Sequence, residues 1–590
     1  MMVRKWKIIL GSLFIFISAF VVAQSKANVT VVHTSNIYGN VLPYNYFNDT
    51  FEPKGLTYIY SYVTSKRAEN QNFVLIDTGN ILYGSPFGDY FVEKDIAENR
   101  VLELINKTGY DVLVPGTFEL SLGKEYLNQY VRKFNGFVLA TNLVGEIDGI
   151  KNYYVKVLPN GIKIAIFGVV PPYGEYKYSD YIANLRERID RVKKEVAPDA
   201  IVLATSGGIS YDPVKGNRIA LESNLNIGDA LVKNFSKDVN IFLFGNQALI
   251  YTGKNQNVIY SLPGNDGLSV NEINIEFIKN GTKWKLNNVS IKNVKMADIK
   301  VNEDIISWAQ KFETEVEKWL SENLFASAVT IGFNKYMAIL EDSLITELVN
   351  KSIIEYTRAQ IGIWNVFNPN FKGIVEGNIT RKELYGLIGK TTSVKVLKLS
   401  GGEVKEIIKN SLQYLSLEDS KVLFSRTVVN NPWFYDLIEG INYKVVLNNG
   451  TIREITFLGK PLEDSDTLIM SVPTIRTYGQ NPLLKGKVIN DVEVPVQKIL
   501  FSTIGNLLSD GVIANEEDRN RESLVLLTYT VQAGDTFRQV AYRLGVSEEE
   551  LLKLNPIIKD PNLIRPGWKF IYYKKYLDLI PPLKELFEAK

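Results

Sequence analysis

The 590-residue chain has no cysteine and a single histidine, His33. The absence of cysteine excludes disulfides, zinc–thiolate sites, thiol nucleophiles and N-terminal lipoprotein anchoring. Net charge is also scarce, since 67 basic and 65 acidic residues leave +2. This balance gives no electrostatic reason to expect a nucleic-acid or anionic-membrane partner. A hydrophobic content of 45% with 22% charged residues nevertheless indicates a chain that folds, and its length indicates several domains.

Long apolar runs are absent after the N-terminus, which reads MMVRKWKIILGSLFIFISAFVVAQSKA. Arg4, Lys5 and Lys7 precede the apolar run from 8 to 23, a pattern that predicts a signal peptide over residues 1–27. An uncleaved anchor stays open as the alternative, because the run approaches the roughly 20 residues that span a bilayer. We therefore predict a secreted protein of the bacterial periplasm or cell envelope.

Short apolar runs alternate with polar, helix-compatible segments through residues 28–300. Runs such as FVLIDTG, IKIAIFGVV and AIVLATSG are rich in β-branched and aromatic residues and nearly all end at a glycine-containing turn. They predict strands buried on both faces of a layered α/β domain. Site chemistry in such sheets lies in the loops beyond the strand ends, so these turns are where a catalytic site is expected.

The rest of the chain divides into further units. Apolar residues at spacings of three and four predict one long connector helix within 301–324. A second α/β region is predicted at 325–506, a polar linker at 507–527, a small unit at 528–574 and a packed tail at 575–590.

The ordered turns of the first region resemble those of the secreted 5'-nucleotidase and 2',3'-cyclic-nucleotide phosphodiesterase family, a calcineurin-like metallophosphoesterase joined to a nucleoside-binding domain. The family pattern H-T-N-D-x-H-G reads here HTSNIYG, D-x-G-D reads DTGN, G-N-H-E reads GTFE, S-H-x-G reads TSGG and G-H-x-H reads GNQA. His33 matches the family histidine that binds no metal. The positions where ligands or catalytic groups are replaced are Asn36, Tyr38, Asn80, Thr117, Phe118, Ser206, Asn246 and Ala248.

The resemblance implies two adjacent divalent metals that activate water, and such a centre needs carboxylate and imidazole ligands. Those ligands are gone while turn-shaping glycines remain, so we predict no catalytic residues and no cofactor. Asp77 and Glu119 are left as candidates for one hard cation such as Mg²⁺ or Ca²⁺, although turn and capping roles are the more usual use of such residues.

Residues 361–408 resemble the C-terminal domain of the same nucleotidases. In the family an N-x-G-G-x-R motif grips phosphate; here Asn365 is kept and the arginine position is Asn370. Phe434, Tyr435 and Asp436 lie in a segment similar to the one that carries the aromatic ring under the nucleobase, and the second ring position is Ile475 before Arg476. The resemblance implies half of a nucleoside clamp; the alternative is that these aromatics are core residues.

YTVQAGDTFRQVAYRLGVSEEELLKLNPIIKDPNLIRPGWKFIYY resembles a LysM domain along its whole length. The resemblance implies a β-α-α-β unit that binds N-acetylglucosamine chains, peptidoglycan included, between the GDTF turn and the NP loop. The glycan-binding candidates are Gly534, Asp535, Thr536, Phe537, Asn555 and Pro556. Capping and turn chemistry is the alternative role for these residues.

The sequence thus predicts an α/β multidomain protein: a layered α/β/β/α metallophosphoesterase-like domain, a second α/β (α+β) nucleotidase C-terminal-like domain and a small β-α-α-β LysM domain. The favoured hypothesis is an exported, catalytically inactive nucleotidase-like protein held to peptidoglycan by LysM. The alternatives are an active nucleotide or phosphate-ester hydrolase with a rearranged metal site, and an envelope scaffold whose body binds protein.

Overall fold

The computed structural model describes residues 25–145, 147–174, 176–418, 421–477, 486–509 and 520–579. The predicted signal peptide up to residue 24, residues 510–519 of the predicted linker and residues 580–590 of the tail lie outside the described residues. Within the described part of the chain, no helix combines the length and the apolar character needed to cross a bilayer.

The front domain consists of two six-stranded sheets between helical layers. Its strands are β1 Lys26–Thr34, β2 Tyr44–Asn45, β3 Thr50–Phe51, β4 Phe73–Asp77, β5 Val112–Leu113, β6 Phe137–Val138, β7 Tyr153–Val157, β8 Lys163–Val169, β9 Ala200–Thr205, β10 Ile241–Leu243, β11 Ile250–Asn255, β12 Val258–Pro263, β13 Ser269–Asn280 and β14 Lys283–Lys295. Its helices are α1 Leu56–Glu69, α2 Pro86–Val92, α3 Arg100–Thr108, α4 Thr117–Ser121, α5 Gly123–Lys133, α6 Tyr181–Glu195 and α7 Gly228–Phe235.

The strand orders are β14-β13-β1-β4-β5-β6 and β11-β12-β10-β9-β8-β7. Val31, Ile76, Ile166 and Val202 belong to the apolar core between the two sheets, while further cores form under the helices on each outer face. This is the predicted α/β/β/α layering. Strands β1, β4 and β5 run parallel, as do β9 and β10, so their carboxyl ends gather turn residues at one end of the sandwich.

The predicted single connector helix is instead two short helices, α8 Glu303–Gln310 and α9 Glu313–Leu320. The helix is interrupted at Lys311 and Phe312, and the Phe312 ring meets Phe91 edge-on at 6.1 Å. Val316 and Trp319 of α9 pack into the same front-domain core. Residues of both α8 and α9 therefore pack against the front-domain core.

The second domain contains β15 Asn323–Ser327, β16 Ile331–Gly332, β17 Ile361–Trp364, β18 Gly373–Ile374, β19 Gly377–Thr380, β20 Val394–Ser400, β21 Leu415–Glu418, β22 Lys421–Phe424, β23 Leu437–Glu439, β24 Asn442–Val446, β25 Thr451–Phe457, β26 Lys460–Pro461, β27 Thr467–Pro473 and β28 Lys487–Val492. Its helices are α10 Lys335–Leu340, α11 Leu344–Thr357, α12 Arg381–Ile388, α13 Gly401–Leu412, α14 Arg426–Asn430 and α15 Val496–Ser509. The central sheet has the order β23-β17-β27-β20-β28.

The C-terminal unit is β29 Arg521–Thr530, α16 Phe537–Leu544, α17 Glu548–Leu554 and β30 Lys569–Lys575, which is the predicted β-α-α-β order. The prediction of a linker through residue 527 differs from the structure, because β29 begins at Arg521. This strand pairs in parallel with β24 and antiparallel with β30, giving one sheet in the order β26-β25-β24-β29-β30. Arg521 explains the early start, since its guanidinium donates to the carbonyls of Ala338 and Glu341. The small unit is therefore joined to the second domain by backbone pairing.

Candidate functional site

The carboxyl end of strand β1 holds the single histidine in a buried position. His33 is fully buried, with its two ring nitrogens 2.8 Å from Ser261 Oγ and 2.9 Å from Thr78 Oγ1. Burial lowers the pKa of His33 from 6.5 to about 3, so the imidazole is neutral at physiological pH. Its contacts are hydroxyls on neighbouring strand ends, which is a structural role.

Three asparagine amides form one network at the ends of β1, β4 and β10. Asn80 Nδ2 donates to Asn36 Oδ1 at 3.0 Å and to Asn246 Oδ1 at 3.2 Å. Asn36 Nδ2 in turn donates to the Gln247 carbonyl at 3.1 Å. All three asparagines have positive φ, which Asn tolerates better than most residues. These amides lie in the turns where the family resemblance implies metal ligands that this chain lacks.

The backbone fixes which way the Asn80 amide points. The N–H of Phe118 donates to Asn80 Oδ1 at 3.0 Å, so the oxygen must face that helix and the NH₂ must face Asn36 and Asn246. Asn80 is 1% exposed and Asn36 is fully buried. Two N–H donors are therefore directed into the centre of the turn cluster, where a cation would need an acceptor.

Both remaining carboxylates of the cluster are fully engaged with protein donors. Glu119 accepts four backbone N–H groups, from Asn80 and Gly116 at one oxygen and from residues 81 and 82 at the other, at 2.7–3.0 Å. Asp77 accepts from Thr34 Oγ1 and from the Gly79 N–H, both at 2.7 Å. Burial raises the pKa of Asp77 well above its usual range. These two carboxyls hold turns together.

Aromatic rings close the site toward the second domain. The Phe118 ring lies 5.2 Å from that of Tyr38 and 5.4 Å from that of Tyr83, and Phe118 is 1% exposed. The remaining cavity, lined in part by Tyr38, Asn246, Ala248 and Ile475, has a volume of about 10 Å³. That is room for about one water molecule.

Thr117 and Ser206 complete the set of replaced positions. Thr117 Oγ1 donates to Glu493 of the second domain at 3.3 Å. Ser206 Oγ is buried and has no hydrogen-bond partner among the described residues. Neither side chain carries the charge or the imidazole that the family chemistry needs.

In the second domain, the structure brings Asn365, Asp436 and Arg476 together as a buried group. Arg476 forms two parallel hydrogen bonds to Asp436, at 2.8 and 2.7 Å, and Asn365 Nδ2 donates to the same carboxylate at 2.8 Å. Tyr435 is 4% exposed, and the partly buried Phe434 ring stacks on Trp433 with centroids 6.3 Å apart. The residues proposed as ligand contacts are thus bonded to each other or packed in the core.

The LysM candidates divide into buried and accessible groups. Phe537 is a core residue, and Asn555 ties helix α17 to β30 through hydrogen bonds to Leu551 and Ile571. Hydrogen bonds, first from Tyr529 and then from the Gln532 N–H, hold the pKa of Asp535 below its usual range.

Thr536 caps α16, accepting from the Gln539 N–H. Gly534, Thr536 and Pro556 are accessible on the rim, and Ile557 beside Pro556 is 73% exposed. The rim of this groove is open to a ligand.

Two segments of the chain match known domain families. Residues 326–480 match the family of 5'-nucleotidase C-terminal domains and residues 529–571 match the LysM domain family. Over 544 residues the chain is 20% identical to a 2',3'-cyclic-nucleotide 2'-phosphodiesterase/3'-nucleotidase of Salmonella typhimurium, covering 78% of this chain and 82% of that protein. The solved structure of Haemophilus influenzae NAD nucleotidase shares the fold at TM-score 0.55 and 14% identity, over 82% of this chain and 97% of that one.

The chain is a homologue of the 2',3'-cyclic-nucleotide phosphodiesterase and 5'-nucleotidase family. The C-terminal part adds a likeness of its own, since 61 residues are 39% identical to the endolysin of Bacillus phage PZA, covering 10% of this chain and 24% of the endolysin. A metallophosphoesterase fold, a nucleotidase C-terminal domain and a LysM domain therefore share one polypeptide.

The nucleotidase-like site does not fit the two metals of the family. Two adjacent dications need anionic or imidazole ligands to offset their repulsion. The described residues place amide N–H donors at the bridging position, a ring at Phe118 and fully bonded carboxylates at Asp77 and Glu119. Among these residues, no group of three His, Asp or Glu side chains is placed to hold a metal ion.

Sequence reasoning missed two parts of this site. The N–H of Phe118 that orients Asn80 is a backbone group with no sequence signature. Glu493 meets Thr117 across 376 residues of chain, and its local sequence EVPVQ carries no motif. The first contact forms when α4 packs against the turn cluster. The second forms when the second domain packs against α4.

Proposed function

We propose that this protein is an exported cell-envelope protein of bacteria that has the nucleotidase architecture without phosphoesterase activity, and that its LysM domain binds peptidoglycan or a related N-acetylglucosamine glycan. The observation that carries the first part is the Asn80 amide. Its oxygen is taken by the Phe118 N–H, so its NH₂ faces the place of a bridging carboxylate. A hydrogen-bond donor there opposes cation binding by direct charge repulsion.

The surrounding contacts support the same conclusion. Glu119 would give up four backbone N–H groups to bind a cation, and each buried donor left without an acceptor costs about 1–3 kcal/mol. Burial raises the pKa of Asp77, which disfavours the anionic form that a cation needs. A single rearranged metal therefore competes with bonds that the fold already makes.

The glycan part rests on what the LysM groove leaves free. Thr536 and the exposed backbone at Gly534 offer neutral donors and acceptors, and Ile557 offers an apolar contact. Acetamido sugars present one amide and one methyl group, which such a rim can bind without net charge. The N-terminal leader supports an envelope location.

The first experiment measures metal content and turnover on the full-length purified protein. We expect less than stoichiometric divalent metal and no phosphate release from AMP or 2',3'-cyclic nucleotides in the presence of Mn²⁺, Mg²⁺ or Zn²⁺. The proposal is wrong if one equivalent of metal copurifies and phosphate release is lost in Asp77→Ala or Glu119→Ala variants that remain folded by circular dichroism.

The second experiment measures retention on purified peptidoglycan sacculi. We expect the full chain to sediment with sacculi and soluble chitooligosaccharides to compete it off. Retention that survives competition, or that is absent, would contradict glycan binding while leaving the first experiment unaffected.

One observation favours a scaffold role for the nucleotidase-like body. Asn365 Nδ2 and Arg476 both donate to the Asp436 carboxylate, so these polar groups are bonded to each other, while Asn365 Oδ1 is buried without a hydrogen-bond partner among the described residues. In this second candidate function the body presents a protein-binding surface. A thermal-shift screen with adenosine, AMP and NAD separates the two ideas, because a saturable rise in melting temperature would show that a nucleoside pocket persists.

A further inference from the structure

Lys395 and two carboxylates form a buried group where β28 meets the front domain. Lys395 lies in β20 and pairs directly with Asp491 of the antiparallel strand β28, and Glu493 follows two residues later. Lys395 Nζ is in direct contact with Asp491 Oδ1 and lies 3.7 Å from Glu493 Oε1. An amine, a carboxyl carbon and a second carboxyl group therefore share one small space.

The group is shielded from water by both domains. The side chains of Lys395, Asp491 and Glu493 are 6%, 9% and 1% exposed. Ser223 of the front domain donates to both Asp491 oxygens at 3.0 Å, and Thr117 donates to Glu493 Oε2 at 3.3 Å. A site this dry penalises charged forms of all three groups.

The charges of the group do not balance if all three are ionised. One ammonium faces two carboxylates, which leaves a net negative charge in a buried place. Burial raises the pKa of Glu493, and its Oε1 has no hydrogen-bond partner among the described residues. Glu493 thus places a carboxyl group that can exchange a proton within reach of the Lys395–Asp491 contact, as a general acid–base group must.

Two other ion pairs among the described residues lack this combination. Lys156 contacts Asp111, but their side chains are 22% and 15% exposed and remain hydrated. Arg476 and Asp436 are as buried as Lys395 and Asp491, but a guanidinium stays protonated and is not a nucleophile. At Lys395, a nucleophilic nitrogen, the electrophilic carboxyl carbon of Asp491 and the proton carrier Glu493 lie together.

We propose that Lys395 and Asp491 are joined by an intramolecular amide bond, formed after folding with Glu493 as proton carrier. Transfer of one proton from the ammonium to the Asp491 carboxylate gives the neutral amine and carboxylic acid. Nζ then attacks Cγ and forms the C–N bond. Glu493 accepts a proton from that nitrogen and delivers one to the departing hydroxyl, the C–O bond breaks, and water leaves.

Each step conserves atoms and electrons, and Glu493 returns to the protonation state in which it started. Proximity supplies the driving geometry, since groups held in place reach effective molarities of roughly 10⁵–10⁸ M. The bond would tie β20 to the edge strand β28 and close a loop across 96 residues. A cysteine-free exported chain would gain the covalent staple that disulfides give other secreted proteins.

The test is mass spectrometry of the full-length protein before and after trypsin digestion. We expect an intact mass lower by one water than the sequence requires, and a branched peptide joining residues 391–398 to residues 488–498. Recovery of the two linear segments at unmodified mass from folded protein, with cleavage after Lys395, would overturn the proposal. Lys156 and Asp111 serve as the internal control, and their peptides are expected to be linear.

Three variants separate the bond from a buried ion pair. Lys395→Arg keeps the charge and Glu493→Gln keeps the shape; both are expected to lose the branched peptide completely. Asp491→Asn is expected to keep it, because attack on the amide expels ammonia and gives the same product mass as the wild type. If either of the first two variants is unfolded, the wild-type digest and Asp491→Asn still decide the question, and linear peptides from both would contradict it.

Discussion

The turns at the strand ends of the front domain and the turn that opens the LysM domain are both rich in glycine and short polar residues, and they use these residues in opposite ways. In the front domain, Asn36 and Asn80 are buried and their amides bond to each other. In LysM, Gly534 and Thr536 are accessible, although the adjacent Asp535 is bonded to Tyr529, Gln532 and Arg543. The same residue types are a structural network in one place and an open rim in the other.

The difference teaches that a motif position has to be judged by what its polar atoms are already bonded to. A group can bind a ligand only after its existing hydrogen bonds are broken, and breaking a buried one costs more than exchanging water at the surface. Binding is therefore expected at the LysM rim before it is expected at the turn cluster.

The largest effect on binding is expected at the LysM rim. Replacing Ile557, which is 73% exposed beside the NP loop, by Asp should reduce retention on sacculi at least about tenfold, because a charge replaces the apolar contact and about 1.4 kcal/mol corresponds to tenfold. Tyr542→Asp is the matched control, since Tyr542 is 90% exposed on α16 and is not one of the candidate glycan-binding residues. Equal loss in both variants would indicate a different binding surface.

The next effect is expected on stability when the amide network is given a charge. Asn80→Asp replaces the NH₂ that donates to Asn36 and Asn246 by a buried carboxylate facing their oxygens, which should lower the free energy of unfolding by about 4 kcal/mol. Denaturant unfolding with and without Mn²⁺ is the measurement. Full rescue by Mn²⁺ would show that one carboxylate restores a metal site, and it would remove the contrast drawn above.

The layered fold could be predicted because it depends on local pattern. The run FVLID is apolar throughout and ends at a glycine turn, and it forms β4 between two neighbouring strands. The replaced ligand positions could also be found, because the turns keep their order. What could not be predicted is pairing over long distance: Asn365 meets Asp436 across 71 residues, and β29 begins at Arg521 because that side chain binds carbonyls near residue 340. Those partners come from other elements and leave no trace in the local sequence.

A third prediction concerns Glu119. In Glu119→Gln one carboxylate oxygen becomes an NH₂ that faces two backbone N–H donors, so the free energy of unfolding should fall by about 3 kcal/mol. Glu125→Gln is the control, because Glu125 is exposed on the neighbouring helix α5 and its change should stay within about 0.5 kcal/mol. A neutral Glu119→Gln would mean that the carboxylate is free for a cation after all.

The smallest effect at neutral pH is expected from His33, although it grows as pH falls. The folded protein holds this imidazole at a pKa of about 3 against 6.5 in the unfolded chain. Between these values the unfolded chain binds a proton that the folded chain does not, so the free energy of unfolding falls with decreasing pH by up to about 1.4 kcal/mol per pH unit. The measurement is an NMR titration of the single histidine together with denaturant unfolding at neutral pH and near pH 4.

His33→Gln isolates this contribution from the carboxyls whose pKa is raised by burial, such as Asp77, which act with the opposite sign. The stability difference between wild type and variant should be flat above neutral pH and should shift in favour of the variant as pH falls toward 4. Two results would mean that the turn cluster admits water. One is an imidazole that titrates near 6.5 in the folded protein, and the other is a free energy of unfolding that depends on pH in the same way in wild type and in His33→Gln. In that case the front-domain turns would be open in the way that the LysM rim is open, and the contrast between the two regions would fail at the residue where it is easiest to measure.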